Sequence, residues 1–322
     1  MAVAVDAIVA PAQSATGRSE TIAFLVMTAA LIVAPFFIYP LFLMQALCFA
    51  LFACAFNLLI GYVGLLSFGH ALYFGWASYL SAHAAKVWGF PPELAILTGA
   101  ATAAVLGLVA GSLAIRRQGI YFAMITLALA QMMFFFALQA KFTGGEDGIQ
   151  GVPRGKLFAT IDLTPHTTMY AVVVVIFLAS FLFIHRVINS PFGEVLKAIR
   201  ENEPRAISLG YKTDRYKLVA FVLSATLAGI AGGTKAIVFQ IASLTDVHWA
   251  MSGEVVLMTL VGGLGTVFGP VVGAFVIVAM QNYLNALDQW VTVIQGTIFV
   301  VCVLLFRRGV IGEIANYFKI RL

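Results

Sequence analysis

SPFGEVLKAIRENEPRAISLGYKTDRYK, residues 190–217, is the one long charged stretch in a chain otherwise made mostly of Ala, Val, Leu, Phe and Gly. About a third of all charged side chains lie between Arg186 and Lys217. The contrast with its flanks decides the fold. Of the 322 residues, 61% are hydrophobic and 10% charged, and the mean hydropathy is +0.99. Soluble domains carry roughly 25% charged residues, so this composition cannot cover a water-facing surface. The chain is read as an all-α integral membrane protein, a polytopic bundle whose spans need about 20 apolar residues each. No hydrophilic run is long enough to form a separate soluble domain.

Working outward from the charged stretch, apolar runs place about ten transmembrane helices at 21–39, 41–61, 66–85, 93–115, 119–140, 168–188, 216–239, 252–268, 270–287 and 290–306. Eight spans stay open, because 252–268 and 270–287 are short. Gly262, Gly263, Gly265, Gly269 and Pro270 crowd their junction, which fits one broken helix or two short ones. Lysines and arginines orient the bundle. Arg116 and Arg117, the seven Lys/Arg from Arg186 to Lys217, and Arg307, Arg308, Lys319 and Arg321 all fall on one side when ten spans are drawn, as does Arg18. That side is expected to be cytoplasmic. The organisation is then a cytoplasmic tail (1–20), a transmembrane domain (21–306) with a cytoplasmic loop at 189–216 and an external loop at 141–167, and a second cytoplasmic tail (307–322). Arg18 follows the first apolar stretch rather than preceding it, so a retained first helix is expected in place of a signal peptide. The net charge of +5 is explained by loop cations, and no basic patch interleaved with aromatics points to nucleic acid.

Local signals shape the charged stretch. Ser190 suits an N-cap and Pro191 the first helical position. Phe192, Val195, Leu196 and Ile199 share one helical face. Pro204 disfavours helix at the residue before it and can open a second short helix that ends near Gly210, where glycine suits a cap. Two short helices at an angle are expected beneath the membrane. The residues alone leave three roles open: an interfacial helix on lipid, a solvated loop, or a docking element for a cytoplasmic partner. Glu194, Glu201, Glu203 and Asp214 offset much of the positive charge, which argues against simple adsorption to lipid.

Polar residues inside spans are costly and so are candidates for function. Gln45, Asn57, Ser67, His70, Gln131 and Glu254 stand out. Ser67, Phe68 and His70 sit at a glycine-rich junction and, with Gln131, are the candidates for a translocation pathway. A helix-end turn competes for the first three and an interhelical hydrogen bond for Gln131. Asp246, His248 and Glu254 read as interfacial residues, with contact to a binding protein as the alternative. Glu146 and Asp147 in the external loop are candidates for docking a binding protein. GYVGLLSFG at 61–69 echoes GGLGTVFG at 262–269, although both segments take the same orientation and so do not make a simple inverted repeat. Cys48, Cys54 and Cys302 lie in apolar runs without metal-ligand spacing and read as core residues. RGKL at 154–157 lacks the upstream glycine and the Ser/Thr of a phosphate loop.

ENEPRAISLGYKTDRYKLVAFVLSATLAGIAG resembles the cytoplasmic loop of ABC-importer permeases, with Glu203, Ala206 and Gly210 matching its Glu–Ala–Gly motif; Pro204 and Arg205 depart from the commonest form. GYVGLLSFGHALYFGWASYLSA, TGGEDGIQGVP and VGGLGTVFGPVVGAF, in that order, resemble segments of branched-chain amino-acid permeases. The similarity runs from about Gln45 to Arg308, and the chain resembles the LivM-type permease subunit. The resemblance implies a transport subunit of the bacterial inner membrane that is no enzyme and binds no cofactor or metal. ATP would be used on two separate ATP-binding subunits, beside a LivH-type second permease and a periplasmic binding protein. Glu203, Ala206, Gly210, Arg200 and Arg205 would couple to the ATPase. Urea, amides, aromatic acids or sugars are alternative cargoes, and an ion-coupled secondary carrier is the alternative mechanism.

Overall fold

The computed structural model describes residues 13–158 and 160–284, with 293, 294, 296, 297 and 300. The expected tenth span at 290–306, the C-terminal tail, Cys302 and the first twelve residues lie outside this description or at its margin. The described chain is helical almost throughout. Its elements are α1 (Gln13–Val33), α2 (Pro40–Ile60), α3 (His70–Lys86), α4 (Pro92–Ala114), α5 (Ile120–Gln139), α6 (His166–Ile188), α7 (Pro191–Glu201), α8 (Glu203–Ser208), α9 (Thr213–Phe239), α10 (Trp249–Gly262) and α11 (Gly269–Leu284). Of these, α2, α4, α5, α6 and α9 are long and apolar enough to cross a membrane, while α10, α11 and the apolar part of α1 are shorter apolar helices.

The apolar α2 is the central post, buried continuously from Ala46 to Leu59. Around it, α3, α4 and α9 form a tight cluster through small residues. Gly107 of α4 faces Ala225 of α9, Gly229 faces Ala103, and Gly232 abuts the backbone of Phe74 in α3. Water exclusion drives little helix association inside lipid, so close backbone approach and dispersion must supply it. The G-x-x-x-G pair at Gly107 and Gly111 therefore does what its spacing suggests: Gly111 packs on Leu218 and Phe221 of α9.

One departure from the sequence reading matters: α3 begins at His70, so Ser67–Gly69, drawn inside the span 66–85, is not helical. Of the two arrangements left open after Trp249, the structure has two separate helices. At 1.5 Å per residue, α10, with 14 residues, spans about 21 Å, short of the ~30 Å hydrocarbon core, and α11 follows from Gly269. They pack closely: a side chain on Gly273 would strike the Met258 carbonyl, and one on Gly262 would strike Gly269.

At the end of the bundle away from α7 and α8, the loop 141–167 is tied down by backbone pairing. β1 (Ile149–Gln150) pairs antiparallel with β4 (Ile241–Ala242), and β2 (Lys156–Leu157) with β3 (Ile161–Asp162). Arg154 donates to the Val238 carbonyl at 2.9 Å, and Lys86 to that of Gln150 at 2.7 Å. The loop is thereby fixed over the ends of α3 and α9.

Candidate functional site

The charged stretch folds as its local signals indicate. Ser190 Oγ accepts the Gly193 N–H at the start of α7, and Asn202 Oδ1 accepts the Arg205 N–H at the start of α8. Each cap satisfies an otherwise orphaned helix donor. Leu196 and Ile199 are buried against the bundle, with Phe192 and Val195 half-buried beside them. Ala206 is buried, and Gly210 closes α8 with φ +90°.

Arg200 of α7 reaches the loops at this end of the bundle. Its guanidinium donates to the carbonyl of Gly61, at the end of α2. Its stem lies over Gly64, where a Cβ would come within 3.2 Å of Cγ, and Nη1 would be 3.2 Å from a Cβ on Gly265. Both glycines have positive φ (+80° and +76°), a region L side chains rarely adopt. Glycine is therefore required twice over here, by backbone conformation and by the arginine laid against it. The two loops that Arg200 touches are the two echoing sequences, 61–69 and 262–269. The second loop is also bound to α2 by Asn57, whose Nδ2 donates to the Thr266 carbonyl at 2.9 Å and whose Oδ1 accepts the Gly265 N–H at 3.1 Å. Irregular backbone at membrane depth persists only where protein satisfies its polar groups. Asn57 and Arg200 do that for the loops following α2 and α10.

Glu203, at the α7–α8 elbow, turns inward. One carboxylate oxygen pairs with Lys217 of α9 at 2.5 Å, and the other accepts from Gln118, between α4 and α5, at 2.8 Å. The Lys217 side chain is 3% exposed and that of Glu203 15%, so the pair is part of the interior. Arg205 is exposed, as are Ile207, Leu209 and Tyr211, an apolar patch around α8. The Glu–Ala–Gly motif therefore has an inward half (Glu203, Ala206) that anchors the elbow and an outward half that presents a surface.

The other sequence candidates separate spatially. His70 is fully buried among the rings of Phe56, Tyr73 and Phe221. Ser224 Oγ donates to the Ala55 carbonyl at 2.5 Å and lies 2.8 Å from His70 Nε2. The hydroxyl proton is committed to Ala55, which assigns the ring proton to Nε2. This chain of bonds ties α2, α3 and α9 together. Ser67 is buried and accepts the Gly69 N–H, while the Phe68 N–H donates to Thr126 of α5. Gln131, halfway along α5, has a buried Oε1 with no hydrogen-bond partner among the described residues. Its oxygen thus does not make the interhelical bond that competed with a pathway role. Glu146 and Asp147 are exposed in the loop 141–167. Glu254 is bonded to Gln281 of α11 at 3.0 Å.

Sequence reasoning missed three partners. It did not pair Lys217 with Glu203, and it did not place Gln118 at the elbow. Asp246, read as interfacial, is 1% exposed and forms an ion pair with Lys235 of α9 at 2.5 Å. Each joins two different elements, 14, 85 and 11 positions apart in the chain, beyond the reach of cap and helix-face signals.

Residues 38–303 match the family model described as "Branched-chain amino acid transport system / permease component". The chain belongs to this permease family. It is 24% identical over 288 residues to the high-affinity branched-chain amino acid transport system permease protein LivM of Escherichia coli K12, covering 82% of this chain and 68% of that protein. It is 24% identical over 216 residues to the probable branched-chain amino acid transport permease protein LivH of Methanocaldococcus jannaschii, covering 62% and 65%. The ribose import permease protein RbsC of Bacillus subtilis is 28% identical over 196 residues, covering 56% and 58%. No solved structure matches. Family membership and the apolar helices together make the chain a multi-pass membrane permease of an ABC importer.

Proposed function

We propose that this permease forms half of the translocation pathway of an ATP-driven, binding-protein-dependent importer of branched-chain or other hydrophobic amino acids. In this reading a LivH-type permease supplies the other half. Two ATP-binding subunits dock on α7–α8, and the face carrying α7–α8 is the cytoplasmic face of the inner membrane. A periplasmic binding protein meets the opposite end, where Glu146 and Asp147 are exposed.

The observation that carries this reading is the double attachment of α7–α8. Arg200 holds the loops after α2 and α10, and Glu203 holds α9 and the α4–α5 connection. A displacement of α7–α8 reaches five helices through these two side chains. The geometry suits a rigid-body switch, driven by ATP-dependent closure of subunits that grip Arg205, Ile207, Leu209 and Tyr211. The sparsely covered α5, with Met124, Met132, Phe135 and Phe136 exposed, suits a surface shared with a second permease. The alternative cargo is a sugar, which the RbsC match supports. The LivM match covers more of this chain, 82% against 56%, and favours amino acids.

Reconstitution with cognate partner subunits and binding protein tests the proposal. Leucine uptake into proteoliposomes should require ATP and the binding protein. Uptake driven by a proton gradient without ATP would refute it in favour of a secondary carrier.

A further inference from the structure

Beyond the coupling contacts, the molecule has an open cleft of about 940 Å³ between the middle of α1 and the end of α6. It lies at the α7–α8 end of the bundle, lined by Phe24, Leu182, Arg186, Asn189, Ser190 and Pro191, among others. Its lining is divided. Leu182 is 48% exposed, and Ile22 and Leu25 beside Phe24 on α1 are 61% and 60% exposed, as expected of side chains facing acyl chains. Arg186, Asn189 and Ser190 follow Leu182 toward the polar end. Arg186 forms no ion pair among the described residues. Asn189 bonds the ring of His185 at 2.9 Å, which holds its amide at the polar end of the cleft.

We infer that this cleft binds an anionic phospholipid, with the phosphodiester against Arg186 and an acyl chain along Phe24 and Leu182. A cation at the end of a span, above an apolar slot open to the bilayer, matches a lipid with its charge and its tail in register. Basic pockets between transmembrane helices recognise headgroups in this way. A free phosphate would use only the polar half and leave the apolar slot without a role. The position adds a consequence. Ser190 caps α7 and Pro191 is its first residue, so a bound lipid abuts the hinge between α6 and the element that carries Arg200. The inference stands on the cleft itself and not on the cargo or the energy source, so it can fail while the transport reading holds, and the reverse.

The test is native mass spectrometry of the full-length chain, extracted from vesicles of equal phosphatidylglycerol and phosphatidylcholine and stripped with increasing detergent. Wild type and Arg186→Lys should each retain one phosphatidylglycerol. Arg186→Gln should need about tenfold more lipid for the same occupancy, the change expected when about 1.4 kcal/mol of binding is lost. Leu182→Trp, which fills the apolar slot and leaves the cation in place, should lose the lipid too. Inorganic phosphate should not displace it. Equal retention of the two lipids, retention unchanged in both Arg186→Gln and Leu182→Trp, or displacement by inorganic phosphate would each overturn the inference.

Discussion

Removing the charge of Glu203 should cost more than removing that of Lys217, although the two form one ion pair. Glu203→Gln leaves the Lys217 ammonium, 3% exposed, without a counter-charge. Breaking a buried pair in this way costs about 3–5 kcal/mol, and the amide oxygen that the substitution leaves beside the ammonium puts this case near the lower figure. Lys217→Met instead leaves a carboxylate that keeps its bond to Gln118 and has more access to water. Its cost should be nearer the ~1.5–3 kcal/mol of a hydrogen bond to a charged group. The double variant carries no stranded charge and should be more stable than Glu203→Gln alone. Coupling between contacting residues commonly reaches about 0.5–3 kcal/mol. Thermal unfolding of the purified chain in detergent reads all three. At about 2–4 °C per kcal/mol for chains approaching this size, Glu203→Gln should lower the melting temperature by about 6–12 °C. Strictly additive effects, or a Glu203→Gln variant as stable as wild type, would refute the buried-pair account.

Three further outcomes follow from the packing. Gly232→Ala should prevent or strongly weaken folding, seen as loss of monodisperse protein on size exclusion, because the new Cβ would strike the Phe74 carbonyl. Ser224→Ala should cost about 1–3 kcal/mol, since it strands the His70 Nε2–H in the core; a Ser224→Thr variant that restores the hydroxyl should recover part of the melting temperature. Asp246→Asn should destabilise by a similar route to Glu203→Gln, leaving Lys235, 13% exposed in its side chain, unpaired; Lys235→Met in the same background should restore stability.

The long apolar helices were legible because each is a contiguous apolar run closed by local breakers such as Pro40, Pro92 and Gly119. The Ser190 cap of the charged stretch was legible for the same reason, since it acts on a residue three positions away; the equally local cap by Asn202 was not read from the sequence. The site was legible only in outline. The chain contains the similarity of 61–69 to 262–269, yet nothing in it says that these loops touch, or that Arg200 lies across both. Such contacts join residues 139 and more than 200 positions apart, and tertiary packing alone sets them. The start of α3 was misplaced because Ser67–Gly69 is apolar enough to extend the run. Its backbone is held off the helix by Thr126 of α5, again a distant partner. Glu203 shows the limit most clearly. Its motif points to the coupling loop, but its side chain faces inward, and only Lys217 and Gln118 explain why a carboxylate is needed there.

The most direct test of the central claim, that α7–α8 drives the bundle through Arg200, compares transport with ATP hydrolysis in the reconstituted importer. Arg200→Ala removes a hydrogen bond from a charged donor, about 1.5–3 kcal/mol, which is about tenfold to a hundredfold in an equilibrium. The complex should assemble and hydrolyse ATP, while leucine transported per ATP falls by at least about tenfold. Unchanged leucine transported per ATP in Arg200→Ala would contradict the account.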